Sequence, residues 1–204
     1  MFSLIRRGAL ALGAFGLITA GTIAVTHQAT QTRIERNEQA VAIAALTQVL
    51  PTHDNDLLAD QWVIEPVQAL GFDQPTTLTL ARLGGAPVGF ALPVIANDGY
   101  SGPIHMTLGV NLQGEVTGLR VIKHKETPGL GDKIDLAKSD WILDFNGRSL
   151  SDPEADQWSP RPDGGAFDAF TGATITPRAV IAATARALAW YQQAQPTLLQ
   201  RAQP

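Results

Sequence analysis

The sequence predicts an α+β protein: an N-terminal transmembrane helix followed by one domain in which an antiparallel β-meander packs with helices. Three observations carry this. An uncharged apolar run near the N-terminus is long enough to cross a bilayer, apolar residues in the middle of the chain recur with period two, and those near the end recur with helical spacing. Helix, then strands, then helices is the order of an α+β domain rather than of alternating βα units.

No charged residue appears from Gly8 to Thr26, where Leu10, Leu12, Phe15, Leu17, Ile18, Ile23 and Val25 recur among small residues. At about 1.5 Å rise per residue, such a run of roughly 19 residues covers about 28 Å, enough for a bilayer core. Arg6, Arg7 and the N-terminal amine precede it, so residues 1–7 are expected in the cytoplasm, 8–26 in the membrane, and the bulk of the chain outside the cytoplasm. Arg33 and Arg36 on the far flank weaken this orientation only slightly, because Glu35 and Glu38 accompany them. A cleaved signal peptide shares the Arg6-Arg7 start, but its apolar region is normally about 7–15 residues. The sequence His27-Gln28-Ala29-Thr30 is also a poor cleavage site. A buried helix of a soluble protein is the remaining alternative.

The chain of 204 residues, 45% of them hydrophobic, suffices for one ordinary core with an appendage. Its formal net charge is −4, and without Arg6 and Arg7 the exported part holds 13 basic against 19 acidic residues, a net −6. Nucleic acid is therefore not an expected partner. With zero cysteines there are no thiolate-held clusters, disulfides or thiol nucleophiles, so redox chemistry would come from a bound organic cofactor. The four histidines, His27, His53, His105 and His124, show no ligand spacing, and no metal site is expected. No nucleophile elbow or P-loop is present.

Between the span and residue 75 the chain reads as connecting structure. Ile34, Val41, Ala45 and Val49 are near helical spacing, so an amphipathic helix over 33–50 can continue the span until Pro51 stops it. Pro66 and Pro75 mark the irregular stretch 52–75, with one short strand around Trp62–Ile64. From Thr76 the period becomes two. Leu78 and Leu80 run out, Gly84-Gly85 turns the chain, and Val88, Phe90, Leu92 and Val94 return. A second hairpin has Ile104, Met106, Leu108 and Val110 on one face, a turn near 111–114, and a strand returning over 116–125. Ser139 can cap a short helix bearing Trp141, Ile142 and Phe145. Thr176-Pro177 then reads as an N-cap followed by proline at the first helical position, with Val180, Ala183, Ala187, Leu188 and Tyr191 as the apolar stripe.

Three segments are candidates for a site. In "DAFTGATITPRAV", residues 168–180, Thr171 to Thr174 precede a helix start, where unpaired N–H groups favour an anion such as phosphate. Gly172 and Ala173 allow close approach and Thr174 offers its hydroxyl, although the threonines can also serve only as caps. Asp168 can orient a threonine hydroxyl, chelate a metal during a modification, or be an ordinary turn aspartate. In "HKETPGLGDKID", residues 124–135, Pro128, Gly129 and Gly131 surround Leu130, with Glu126, Thr127, Asp132 and Lys133 alongside. This is either a tight turn or a bed for a planar ligand, with Leu130 over its face and polar groups at its edge. It is not a dinucleotide-binding fingerprint. "NDGYSG", residues 97–102, is first a turn, with Gly99 and Tyr100 packing or bordering a ligand.

Taken together, "DGYSG", "ETPGLGDKI", "SDW" and "DGGAFDAFTGATITP", in this order after an N-terminal anchor, resemble the G subunit of the Rnf electron-transport complex, called Rsx in some bacteria. The C subunit of the sodium-translocating NADH:quinone oxidoreductase is a more distant relative with the same flavin-attachment motif. The resemblance implies that D-x-x-(S/T)-G-A-T, here Asp168, Thr171, Gly172, Ala173 and Thr174, is read by a separate flavin transferase. That enzyme joins FMN through its phosphate to the final threonine, Thr174. The resemblance also sets Glu126, Thr127, Gly129, Leu130, Lys133, Gly99 and Tyr100 near the flavin ring. Residues 27–75 then form a connecting region packed on an FMN-binding core, 76–204.

The implied protein is an electron-carrying flavoprotein subunit of an ion-translocating ferredoxin/NAD oxidoreductase, not catalytic alone. It would be a single-pass protein of the bacterial inner membrane with its C-terminal domain in the periplasm, partnered by the other integral and peripheral subunits. A non-redox accessory subunit and a free-standing FMN-dependent reductase are the alternatives.

Overall fold

The structure, a computed structural model of the chain, describes residues 2–203. The side chains of Ile34, Glu35, Arg36 and Glu38, which enter the sequence reading, lie outside the described residues. The chain forms two compact units, residues 1–40 and 41–204.

Helix α1 spans Phe2–Val49. Its stretch Ile5–Gln31 is long and apolar enough to cross a membrane, and Leu10, Leu12, Phe15, Leu17, Ile18, Ile23 and Val25 are all exposed on it. Large apolar side chains left outward along this stretch suit a surface that meets lipid. Thr19, Thr22 and Thr30 return their hydroxyls to carbonyl oxygens one turn earlier, which satisfies them without water.

The second unit is built on one antiparallel sheet in simple meander order: β1 (Gln61–Ile64), β2 (Thr76–Leu83), β3 (Ala86–Ala96), β4 (Ile104–Asn111) and β5 (Val116–Lys123). The short strand around Trp62 pairs with β2, Trp62 opposite Leu78. Period-two patterning puts Leu78, Leu80, Phe90, Leu92, Val94, Met106, Leu108 and Val110 into one core, against which helix α2 (Ile175–Arg201) lays the predicted stripe. Tyr191 stands 5.9 Å from Phe90, and its hydroxyl donates to the Asn111 carbonyl oxygen at 3.1 Å.

Val88 departs from the predicted alternation. The β2–β3 register shifts between Ala81 and Arg82, and Val88 packs instead with Val49, Leu50, Ala81 and Ala91 on the opposite face. A bulge inserts one residue, so every side chain before it changes sides. Val41 also departs, being exposed, so the last turns of α1 pack through Ala45, Leu46 and Val49. Val49 lands where Gly109 and Gly118 face each other across β4 and β5. A Cβ on Gly109 would stand 2.0 Å from the Val49 carbonyl oxygen, so glycine is what lets the helix end touch the sheet.

After β5 the chain makes short 3-10 turns rather than long helices. Ser139 caps the predicted helix, Asp140–Phe145, its hydroxyl accepting from the Trp141 N–H at 3.2 Å, but the helix is 3-10. Trp141, Phe145, Trp158, Phe167 and Phe170 form a continuous aromatic cluster with neighbouring ring centroids 4.7–6.1 Å apart. This cluster anchors the long excursion that leads into α2.

Candidate functional site

The three singled-out segments come together. The turn between β3 and β4, the turn after β5 and the approach to α2 enclose a cavity of about 350 Å³. Tyr100 lines it from the first; Glu126, Thr127, Leu130 and Gly131 from the second; Gly172 through Thr176 from the third.

Each segment is held by its own local chemistry. After β5, the Thr127 carbonyl oxygen accepts the N–H groups of Leu130 and Gly131 at 3.1 Å, and the Gly129 N–H donates to Asp132 Oδ1 at 2.7 Å. Gly129 is at φ 79°, a conformation that side chains resist, so the turn needs glycine there. Before α2, the Ala173 N–H closes a turn on the Phe170 carbonyl oxygen at 3.2 Å, with Gly172 at φ 81°. These two turns put Leu130 and Gly172 side by side: a Cβ on Gly172 would be 3.6 Å from Leu130 Cδ2.

The start of α2 differs from the sequence reading. The helix begins at Ile175, with Thr174 at the N-cap position, rather than at Pro177 behind Thr176. Thr174 is in helical conformation, φ −81° and ψ −23°, and its side chain makes no capping hydrogen bond. An N-cap hydroxyl caps from extended backbone, which explains the missing bond. The Thr174 hydroxyl is thus exposed at the rim of the cavity beside the unpaired N–H groups of the first turn. Pro177 is the third helical residue, where its lack of an N–H still breaks no intrahelical bond.

Thr176 has another role. It is buried, and its hydroxyl donates to Oε2 of Glu126, whose Oε1 accepts the Ser101 N–H at 2.9 Å. One carboxylate thereby ties all three segments together. The Glu126 N–H donates to His124 Nδ1 at 3.0 Å, and His124 Nε2 faces Asp135 Oδ2 at 3.0 Å. With Nδ1 accepting, Nε2 carries the proton given to Asp135. Gly131 completes the junction, since a Cβ there would stand 2.8 Å from Thr176 Oγ1 and 2.9 Å from Glu126 Oε2. Ser101 and His124 were missed by the sequence reading, and Thr176 was read only as a helix cap. The one available signal was a Thr-Pro pair too close to Thr174 for both threonines to cap.

Not every predicted residue lines the cavity. Lys133 and Asp168 border a separate open cleft of about 450 Å³ with Trp141 and Phe170. Lys133 Nζ sits 6.0 Å from the Phe170 ring centroid, and Asp168 pairs with Arg161 at 3.0 Å. Thr171 is exposed, Gly129 shapes the turn below Leu130, and Gly99 is the tight point of its own turn, where a Cβ would meet the Gly102 carbonyl oxygen at 2.3 Å. Around the mouth, Tyr100, Leu130 and Ile175 expose large apolar surfaces, 67%, 43% and 43% respectively. A slot with apolar walls, two glycines and a helix N-terminus at one end suits a flat ring that carries an anion.

The family described as FMN-binding domain matches residues 99–189, and the family described as RnfG N-terminal region matches residues 1–49. The G subunit of the ion-translocating oxidoreductase complex of Vibrio atlanticus is 43% identical over 100% of this chain and 97% of its own. The proteins of the same description from Shewanella loihica and Pseudomonas aeruginosa are 42% and 44% identical, covering 98% and 95% of this chain and 94% and 91% of theirs. With likeness at this level from end to end, the chain belongs to the family of G subunits of ion-translocating oxidoreductase complexes.

Proposed function

We propose that this chain is a membrane-anchored flavoprotein that relays electrons between other subunits of an ion-translocating ferredoxin/NAD oxidoreductase complex. Its FMN is joined through the phosphate to the hydroxyl of Thr174. The observation that carries the reading is the Thr174 hydroxyl itself: exposed, not used as a helix cap, and on the rim of a cavity that the two other singled-out segments line.

The residues present fit FMN. The cavity volume lies in the range of ligand pockets, about 300–1,000 Å³. The first-turn N–H groups of α2 suit a phosphoester, Gly172 and Gly131 remove bulk, and Leu130, Ile175 and Tyr100 supply apolar faces for an isoalloxazine ring. When bound, the flavin supplies one- and two-electron chemistry, and the protein fixes its place and surroundings. Asp168, Thr171, Gly172 and Ala173 are read by a flavin transferase during maturation; Asp168 and Thr171 are exposed, as that requires.

Residues 1–7 lie in the cytoplasm, 8–26 cross the bacterial inner membrane once, 27–75 connect, and the FMN-binding core, 76–204, stands in the periplasm. The Arg6-Arg7 pair before the apolar run supports this orientation. An anchored carrier searches a tethered volume for its partner subunits rather than the whole compartment. The chain is not catalytic alone.

The test is to purify the assembled complex in detergent and the single chain in parallel, and follow flavin absorbance after adding reduced ferredoxin or NADH. The reading expects bleaching in the complex and none in the isolated chain. Rapid bleaching of the isolated chain points to a free-standing reductase; a complex whose copy of this chain holds no flavin points to an accessory subunit.

A further inference from the structure

The cavity wall holds the carboxylate of Glu126 and, among the described residues, no lysine or arginine. Glu126 is only 4% exposed. Oε1 accepts the Ser101 N–H at 2.9 Å and Oε2 accepts the Thr176 hydroxyl, so both oxygens are engaged as acceptors. The backbone beneath it is fixed as well, its N–H bound to His124 Nδ1 at 3.0 Å.

Holding the three segments together does not require the charge. A glutamine of the same length would accept from Ser101 through its carbonyl oxygen and donate to Thr176 Oγ1 through its amide. Burying a carboxylate instead costs desolvation free energy that a neutral side chain avoids. A charge kept in that position, with no lining cation to neutralise it, acts through its field on a group bound in the cavity.

We propose that Glu126 sets the reduction potential of the flavin: its fixed negative charge on the cavity wall disfavours adding electrons to a ring bound there and so lowers that potential. This rests on the flavin reading above. It makes the bound cofactor a stronger reductant than the same cofactor in a neutral cavity.

The test uses the full chain in detergent, loaded with FMN, as wild type, Glu126→Gln and Glu126→Asp. Intact mass gives flavin per chain, circular dichroism checks the fold, and a redox titration against dyes gives the midpoint potential. The proposal expects Glu126→Gln to fold and to hold enough flavin for the titration. Its reduced-to-oxidised ratio at a given ambient potential should rise at least about tenfold, which is about 30 mV for a two-electron couple. Glu126→Asp, which keeps the charge, should stay nearer to wild type. A loaded Glu126→Gln chain with unchanged potential overturns the proposal while leaving the flavin reading intact. Equal shifts in both variants overturn it too, as does failure of Glu126→Gln to load when wild type loads, since the carboxylate would then be assembling the cavity. Wild type without flavin removes the functional reading and the proposal with it.

Discussion

The indole N–H of Trp141 donates to the backbone carbonyl oxygen of Asp168 at 2.9 Å. Trp141 is buried edge-on against Phe145 and Phe170, at 5.3 and 4.9 Å, so the main chain at the start of the proposed attachment motif is pinned to the aromatic cluster. The Asp168 carboxylate turns the other way, out to Arg161 and solvent. The proposed flavin transferase would meet a fixed main chain and an accessible carboxylate here. Trp141→Phe keeps an aromatic ring in the cluster but deletes the donor and part of the buried indole volume. Urea unfolding should show a loss of about 1–3 kcal/mol from the hydrogen bond and the cavity together, and FMN incorporation should slow.

Gly131 is where the second and third segments touch. Gly131→Ala introduces a methyl group 2.8 Å from Thr176 Oγ1 and 2.9 Å from Glu126 Oε2, and the buried hydrogen bond between them leaves little room to give. Overpacking of this kind costs about 1–3 kcal/mol. The variant should fold less stably and retain less flavin, whereas Lys133→Ala, outside the cavity, should load as wild type.

On the far side of the sheet, Gly109→Ala should be among the most damaging small substitutions. Its Cβ would meet the Val49 carbonyl oxygen at 2.0 Å, a backbone atom that cannot rotate away, so the end of α1 must lift off. Leu46, Val49 and Leu50 then lose their seat against Ala81, Ala91 and Val88. The expected signs are a loss of unfolding free energy on the order of 3 kcal/mol or more and new protease cuts near residue 50.

These glycines mark the boundary of what was legible in the chain. Period two in 76–123 and the stripe Val180 to Tyr191 each follow from one element burying one face, so the meander and α2 could be read directly. Gly109 and Gly118 opposite Val49, the bulge at Val88 and the role of Thr176 depend on which segments meet in space, which spacing along the chain does not encode. Glu126 is the clearest case. Within a polar turn a glutamate reads as exposed; only the arrival of Ser101 and Thr176 allows it to be buried. The helix start after residue 168 was legible because its signal is local, threonines and a proline before an apolar stripe, although the helix starts two residues earlier than its Thr-Pro pair implies.

Tyr191 gives a pH prediction. Burial pushes its phenol from 10.0 up to about 12, partly offset by the hydrogen bond with Gln195. The folded state therefore holds this proton more tightly than the unfolded chain. The corresponding stability is fully present below about 10 and is lost as pH rises from there through about 12. Tyr100 and Tyr191 are the chain's two tyrosines, so in Tyr100→Phe all phenolate absorbance reports Tyr191. It should appear near pH 12 in the folded protein, and Tyr191→Phe should lack the stability drop above pH 10. Phenolate absorbance rising near 10 while the protein is still folded contradicts this account.

The most direct measurement is the intact mass and flavin fluorescence of the chain after denaturation, purified from its native membrane, as wild type, Thr174→Ala and Thr171→Ala. The account predicts that wild type carries the added mass of one FMN and its fluorescence, and that Thr174→Ala loses both. Because Thr174 makes no capping bond, that variant should keep its stability within about 0.5 kcal/mol. Thr171→Ala, which keeps the acceptor hydroxyl, can still be modified, at a lower yield. Covalent flavin retained by Thr174→Ala, or a wild-type chain at its unmodified mass, contradicts the assignment of that hydroxyl as the point of attachment.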